Sequence, residues 1–376
     1  MKSVLEEITA LRGGSPLTVD YRNSNRYRLV IQENDGSKTG YYFSAPIYNI
    51  KSGKLVDAEF QANGDVAFLN GSNASVTISD KVLLEGAEGA CSLYLPQRAS
   101  YISPQELRFE NNSIMPTLNG VAFRCNMQTE KEKSFIFEAG EPFLEIRVND
   151  RYFAFMKERF RPLAVVSAIG CADVFGNITA PAKIEYQKLT DKKYKLTVSA
   201  ASPLAHSVLF EVNLYENKLF QDTTVESKNP AVNNAFGSIG FIGNTELYGE
   251  QWLYSRPDYS KMSELTDKRI NKVVLHMPKL SRGDARFKAF NVNARFCSFG
   301  SNWGNKISEG APISVSETGG CYQNTELTPL LVDFKTGAMA TSEGFILKPE
   351  IKNAGFSAVS TGDSYLAPQI LEINYI

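Results

Sequence analysis

The closing stretch Glu343–Ile376 reads EGFILKPEIKNAGFSAVSTGDSYLAPQILEINYI. It holds three short runs, EGFILKPE, FSAVSTGDSY and PQILEINYI, separated by Asn353-Ala354-Gly355 and by Tyr365-Leu366-Ala367-Pro368. Runs of this length, rich in Ile, Leu, Phe, Val and Tyr and bounded by Gly, Pro and Asn, are half-buried antiparallel strands. Side chains alternate across a pleated sheet, and turn residues end the pairing. Within Gln369–Ile376, Ile370, Glu372, Asn374 and Ile376 fall on one face, and Leu371, Ile373 and Tyr375 on the other. That pattern suits a strand closing a sandwich.

The same alternation extends upstream to about Asn25. RYRLVIQ, the turn Asn34-Asp35-Gly36-Ser37 and KTGYYFSAPIYNI form a hairpin signal, since Asp-Gly supplies the backbone angles of a tight turn. KIEYQKL and YKLTVSA, joined through Thr190-Asp191-Lys192-Lys193, form another, followed by HSVLFEVNLY, Glu216-Asn217-Lys218 and LFQDTTVES. Strand signals recur at the ~8–12-residue spacing of an all-β sandwich or barrel. Tyr41-Tyr42-Phe43 cannot all point inward from one strand, so at least one ring lies on the opposite face. Before this region lies one helical signal. Ser3 and Glu6 have capping-box spacing, and Val4, Leu5, Ile8 and Leu11 share a face ahead of Gly13-Gly14.

The chain has 376 residues, enough for two or three cores of ordinary size. Its 40 Lys and Arg against 41 Asp and Glu leave no global field, which excludes nucleic-acid binding driven by phosphate neutralisation. No run reaches the ~18 apolar residues of a membrane span, so no membrane insertion is expected. Near the N-terminus, Lys2, Glu6 and Glu7 put charges where a signal peptide needs an apolar core. The chain as written is therefore expected to stay in the cytoplasm, to leave by a route that needs no such signal, or to have lost a leader. Five cysteines, widely spread and without a CxxC, read as small buried hydrophobes, with Cys297–Cys321 the one disulfide left open.

From the strands YKLTVSA and HSVLFEVNLY onward, the order of motifs resembles a DNRLRE domain. The opening run is Asp222-Thr223-Thr224-Val225-Glu226-Ser227-Lys228-Asn229-Pro230, with Asn233 close behind. IGFIG, QWLYS, RINKVVLHM, the Trp of FGSNWGNKI, LTPLLVDFKTG, EGFILKPE and PQILEINYI follow in the order of that family's core strands, covering Asp222–Ile376. The upstream half is similar to the β-rich regions that precede such domains in Rhs-type and wall-associated bacterial surface proteins. The resemblance implies an extracellular or cell-surface setting, with carbohydrate binding in some relatives. Gly249-Glu250-Gln251-Trp252-Leu253-Tyr254-Ser255 stands where the family name places Arg-containing charge, and the tyrosine-aspartate repeats of Rhs-type proteins are absent.

Catalytic signals are weak. The two histidines, His206 and His276, lack a nucleophile elbow, and His276 alternates with apolar neighbours as a structural histidine does. Glu138, Glu141 and Glu145, and the pair Glu246 and Glu250, have the look of exposed strand edges rather than of a glycosidase carboxylate pair. Gly237, Gly240 and Gly243 lack phosphate-loop spacing. We therefore expect no catalytic residues. The suggestive surface candidates are aromatic: Trp252, Tyr254, Tyr259, Phe299 and Trp303, with Asn, Gln and Arg nearby, could form a sugar platform, although large aromatics usually fill cores. Asp222, Asn229 and Asn233 could offer oxygens to calcium, the one cofactor considered, against the simpler reading of turn residues bonding their own backbone.

The expected architecture is all-β: two tandem antiparallel, jelly-roll-like β-sandwich domains at 25–216 and 217–376, behind an N-terminal helix and linker at 1–24. The expected function is that of a non-catalytic structural or adhesive module of a bacterial cell-surface or extracellular assembly. A carbohydrate-binding protein and a phage virion or secretion-machine component are the alternatives. The expected partners are polysaccharide, other surface proteins or a second copy of the chain.

Overall fold

A computed structural model describes residues 3–376 apart from 52–53, 73, 141–142, 144, 217, 282–285, 320 and 353–354. The chain is all-β, built from antiparallel sheets with a short helix at its N-terminus. It divides into two compact units that are nested in sequence: 56–216 with 236–238 form one, and 1–55, 217–235 and 239–376 form the other. Residues 25–55, grouped above with the first sandwich, thus belong with the C-terminal half. The strand Lys38–Phe43 pairs along its whole length with the last strand, Ile370–Tyr375.

In the discontinuous unit a six-stranded sheet runs in the order Arg28–Gln32, Lys38–Phe43, Ile370–Tyr375, Ile270–Pro278, Tyr322–Glu326 and Glu317–Gly319. A seven-stranded sheet runs Glu309–Val315, Phe287–Val292, Phe345–Pro349, Gly249–Pro257, Ile239–Thr245 and Phe356–Ser360, with Phe220–Glu226 also paired to Gly249–Pro257. Leu371, Ile373, Tyr375 and Leu275 from the first sheet meet Leu253, Phe345, Leu347 and Val359 from the second in one core. The three C-terminal runs therefore divide. Phe345–Pro349 and Phe356–Ser360 enter one sheet and Ile370–Tyr375 the other, so the chain crosses between sheets after Ser360. In the first of the two expected turns, Asn353 and Ala354 lie outside the described residues, while Gly355 takes a φ of 85°.

The six-stranded sheet is covered on both faces. Tyr42 points into the shared core, whereas Tyr41 and Phe43 join Leu29, Ile31 and Ile370 under the helix Val4–Leu11, through Val4 and Ile8. This is the two-sided placement expected of Tyr41-Tyr42-Phe43, and it explains why all three rings are buried. The hairpin turn is held by Asp35 Oδ1, which accepts from the Ser37 amide at 2.9 Å and hydroxyl at 2.7 Å, with Gly36 at a φ of 86°.

The helix carries the expected capping box: Ser3 Oγ accepts from the Glu6 amide at 3.3 Å, and Glu6 Oε2 accepts from the Ser3 amide at 2.8 Å. Ser3→Ala is expected to cost about 1 kcal/mol of local stability, read as faster amide exchange across Val4–Leu11. Unchanged protection would show that packing alone holds the helix.

The 56–216 unit is a sandwich of an eight-stranded and a nine-stranded sheet around a single core. Its expected hairpin Ala182–Lys188 with Lys193–Ala200 is present in full register. The next two runs do not pair with each other. Ser207–Leu214 lies between Gly120–Asn126 and Arg161–Ala172 in this unit, while Phe220–Glu226 belongs to the other. Asn217 of the intervening turn lies outside the described residues. The core is rich in phenylalanine: Phe123 and Phe210 stack at 4.6 Å between ring centroids and 5° between planes, flanked by Phe109 and Phe135.

Candidate binding sites

A polar basin of about 690 Å³ opens in the discontinuous unit beside the C-terminal end of the helix. Neighbouring strands supply Tyr41, Glu372, Lys272, His276, Asn324 and Glu326, and the chain leaving the helix supplies Arg12 and Ser15. These residues share a face because every second residue of adjacent strands points the same way. Glu372, on the helix side of the last strand, is therefore brought beside His276 and Asn324 across two pairings.

His276 forms the floor of the basin. Its Nε2 lies 3.0 Å from Glu372 Oε2 and its Nδ1 2.8 Å from Asn324 Oδ1, and its ring meets that of Tyr322 edge-on at 6.1 Å. Both ring nitrogens are thus engaged, in keeping with the structural reading of this residue. Burial pushes the Glu372 carboxyl up, but the His276 hydrogen bond and the Lys272 and Arg12 charges outweigh it and hold the group below its ordinary value. At the rim, Arg12 grips both oxygens of Glu33 at 2.7 Å and lies 3.3 Å from the Tyr41 hydroxyl. That two-pronged contact holds the Glu33 carboxyl below its ordinary range.

The expected aromatic platform is assembled only in part. Trp252 is 9% exposed and its ring lies 4.8 Å from that of Trp303. Lys348 Nζ sits 4.0 Å above the Trp252 ring and Lys306 Nζ 4.3 Å above Trp303. Ammonium groups thus occupy ring surface that a sugar would stack on. Trp252 Nε1 donates to Glu250 Oε1 at 2.8 Å. Tyr254 drops out of the platform, being buried beside Phe296 with its hydroxyl donating to the Ile307 carbonyl at 2.8 Å. Tyr259 is bound elsewhere, its hydroxyl accepting from the Ser342 amide at 2.9 Å. Phe299 is half-buried in the loop between Phe287–Val292 and Glu309–Val315.

No protein-family model and no curated protein matches this chain.

The three residues considered for calcium each engage different partners. Asp222 is buried and accepts from the Gly362 amide. Asn229 donates to Glu226 Oε1 at 2.7 Å. Asn233 donates to the Ser298 and Ser301 carbonyls at 2.6 and 2.7 Å, while its own oxygen accepts from the Ala235 amide at 3.2 Å. Only the Asn233 contact with Ala235 is a turn residue bonding nearby backbone; Asn229 pairs with a side chain, and Asn233 also clamps the distant loop at Ser298 and Ser301.

Among the carboxylates, Glu138 accepts from the Tyr94 hydroxyl at 2.6 Å and Glu145 from Arg147 at 2.9 Å, in different sheets, and Glu141 lies outside the described residues. Three cysteines, Cys91, Cys125 and Cys171, are buried as expected. Cys297 and Cys321 are exposed and unbridged, so the disulfide left open is not formed. Of the basin residues, sequence placed Tyr41 and Glu372 on strand faces and His276 within a strand, but joined none of them into a site. They are spread from position 12 to 372 and share no linear motif.

Proposed function

We propose that the chain is a non-catalytic adhesive β-sandwich module of a bacterial cell-surface or extracellular assembly, related to DNRLRE domains over Asp222–Ile376. Its ligand is carbohydrate, held in the polar basin. The observation that carries this reading is the basin itself, whose volume lies in the range of small-ligand sites. Lys272, Asn324, Glu326 and Glu372 bring donors and acceptors to it from sheet strands, so little ordering is needed to meet a hydroxyl-rich ligand. The engagement of both His276 nitrogens favours recognition over proton transfer.

A glycan array probed with the wild type, Lys272→Ala and Trp303→Ala tests this. Binding of at least one glycan is expected, weakened about tenfold or more by Lys272→Ala, as loss of a charged hydrogen bond implies, and unchanged in Trp303→Ala. An empty array would overturn carbohydrate recognition. Binding lost only in Trp303→Ala would move the site to the tryptophan pair.

A further inference from the structure

Two turns at one end of the 56–216 sandwich carry exposed apolar side chains. Arg161–Ala172 and Ser207–Leu214 are paired as far as Ala172 and Ser207, and the His206 amide donates to the Ala172 carbonyl at 3.0 Å. The turn after the first strand and the turn before the second therefore leave the sheet side by side. One is Asp173–Gly176, closed by the Gly176 amide on the Asp173 carbonyl at 3.0 Å. The other is Ser202–Ala205, closed by the Ala205 amide on the Ser202 carbonyl at 3.3 Å.

Central positions of surface turns usually hold Pro, Gly, Asn, Asp or Ser. Here they hold Val174-Phe175 and Pro203-Leu204. Val174 is 67% exposed, Phe175 76% and Leu204 90%, the last being the most exposed large apolar side chain among the described residues. The first turn spends its carboxylate on itself, since Asp173 Oδ1 accepts from the Phe175 and Asn177 amides at 2.9 Å each.

A cation stands behind each tip. Arg124 Nη2 lies 3.2 Å from the position a Cβ on Gly176 would take, and Lys131 Nζ donates to the Pro203 carbonyl at 2.9 Å. Neither forms an ion pair among the described residues. The acids around them are engaged elsewhere: Glu106 by Arg108 and the Ser113 hydroxyl, Glu110 and Glu130 by Lys133. Glu132 opens a strand of the opposite sheet.

We propose that this end of the sandwich docks on the surface of a phospholipid bilayer, with Val174, Phe175 and Leu204 set among the acyl chains and Arg124 and Lys131 against the phosphates. Separate protruding side chains fit a deformable apolar layer, whereas a protein partner would need a matching pocket for each tip. Burial of the three side chains drives the contact, and the two cations favour anionic lipid. Docking of this kind engages turn tips and needs no spanning segment.

Co-sedimentation of the full chain with vesicles of phosphatidylcholine, alone or mixed with phosphatidylglycerol, tests the proposal. The wild type is expected to pellet with both and more strongly with the anionic mixture. Phe175→Ser and Leu204→Ser are each expected to weaken binding to both about tenfold or more, and Lys131→Gln to reduce the preference for the anionic mixture. Because the substituted side chains are exposed, unfolding midpoints should match that of the wild type. A wild type that stays in the supernatant with both mixtures, or binding that the double variant Phe175→Ser/Leu204→Ser retains, overturns the proposal. Self-association of the wild type without vesicles, lost in the double variant, also overturns it by assigning the tips to a second copy of the chain.

Discussion

Phe210→Ala is expected to destabilise the 56–216 unit by about 3–5 kcal/mol, the usual cost of deleting a buried aromatic ring. Phe210 sits in Ser207–Leu214, a strand buried at every position, with paired strands on both sides. Its ring lies directly across from Phe123 in the ladder and stacks on it, while Phe135 packs against both at 5.5 and 5.8 Å. A backbone held in two ladders cannot move inward to fill the vacated volume, so cavity cost adds to the lost transfer energy. Urea unfolding of the variant, with hydrogen exchange to locate the loss, measures this. A change below about 1 kcal/mol would mean that the sheet relaxes around the gap. Phe210→Leu should cost clearly less.

The second large effect is expected at the basin floor. His276→Ala leaves the largely buried Glu372 carboxylate without its hydrogen-bond partner, at an expected cost of about 2–4 kcal/mol. The remaining exposure of Glu372 and the nearby Lys272 charge hold this below the full penalty for an orphaned buried ion. The pH dependence has a definite sign. Glu372 and Glu33 both have folded values below the ordinary 4.5. The stability they contribute is therefore present above that value and is lost as pH falls through their lowered folded values. In His276→Ala the Glu372 carboxyl moves up, and its share of the acid-side loss shrinks. Urea midpoints of wild type and variant should accordingly be furthest apart near neutral pH and converge as pH falls through the lowered folded value of Glu372. A gap that stays constant across that range would show that His276 stabilises by packing alone.

Local signals were legible where a few neighbouring residues decide the outcome. The Ser3 and Glu6 caps, the Asp35-Gly36 turn and the alternation of Ala182–Ala200 each specify an element without help from the rest of the chain. Pairing partners were not legible in this way. Alternation states which residues share a face but not which strand lies alongside, so nothing within 25–55 announced that Lys38–Phe43 would pair with Ile370–Tyr375. The tryptophans show the same limit. Their chemistry suggested a platform, yet Lys348 and Lys306, brought over the rings by other segments, decide what is left to a ligand.

For the closing stretch, sequence alone determined that Phe345–Pro349, Phe356–Ser360 and Ile370–Tyr375 are strands and that Leu371, Ile373 and Tyr375 share a face, because a two-residue repeat and its turn residues act over short distances. Tertiary structure alone decided that the three strands serve two sheets, that Glu372 meets His276, and that the loop between Ser360 and Ile370 carries Asp363 to Lys218 and Asp222. Those outcomes depend on which distant surfaces exclude water together, and burial of that kind belongs to the whole chain rather than to any window of it.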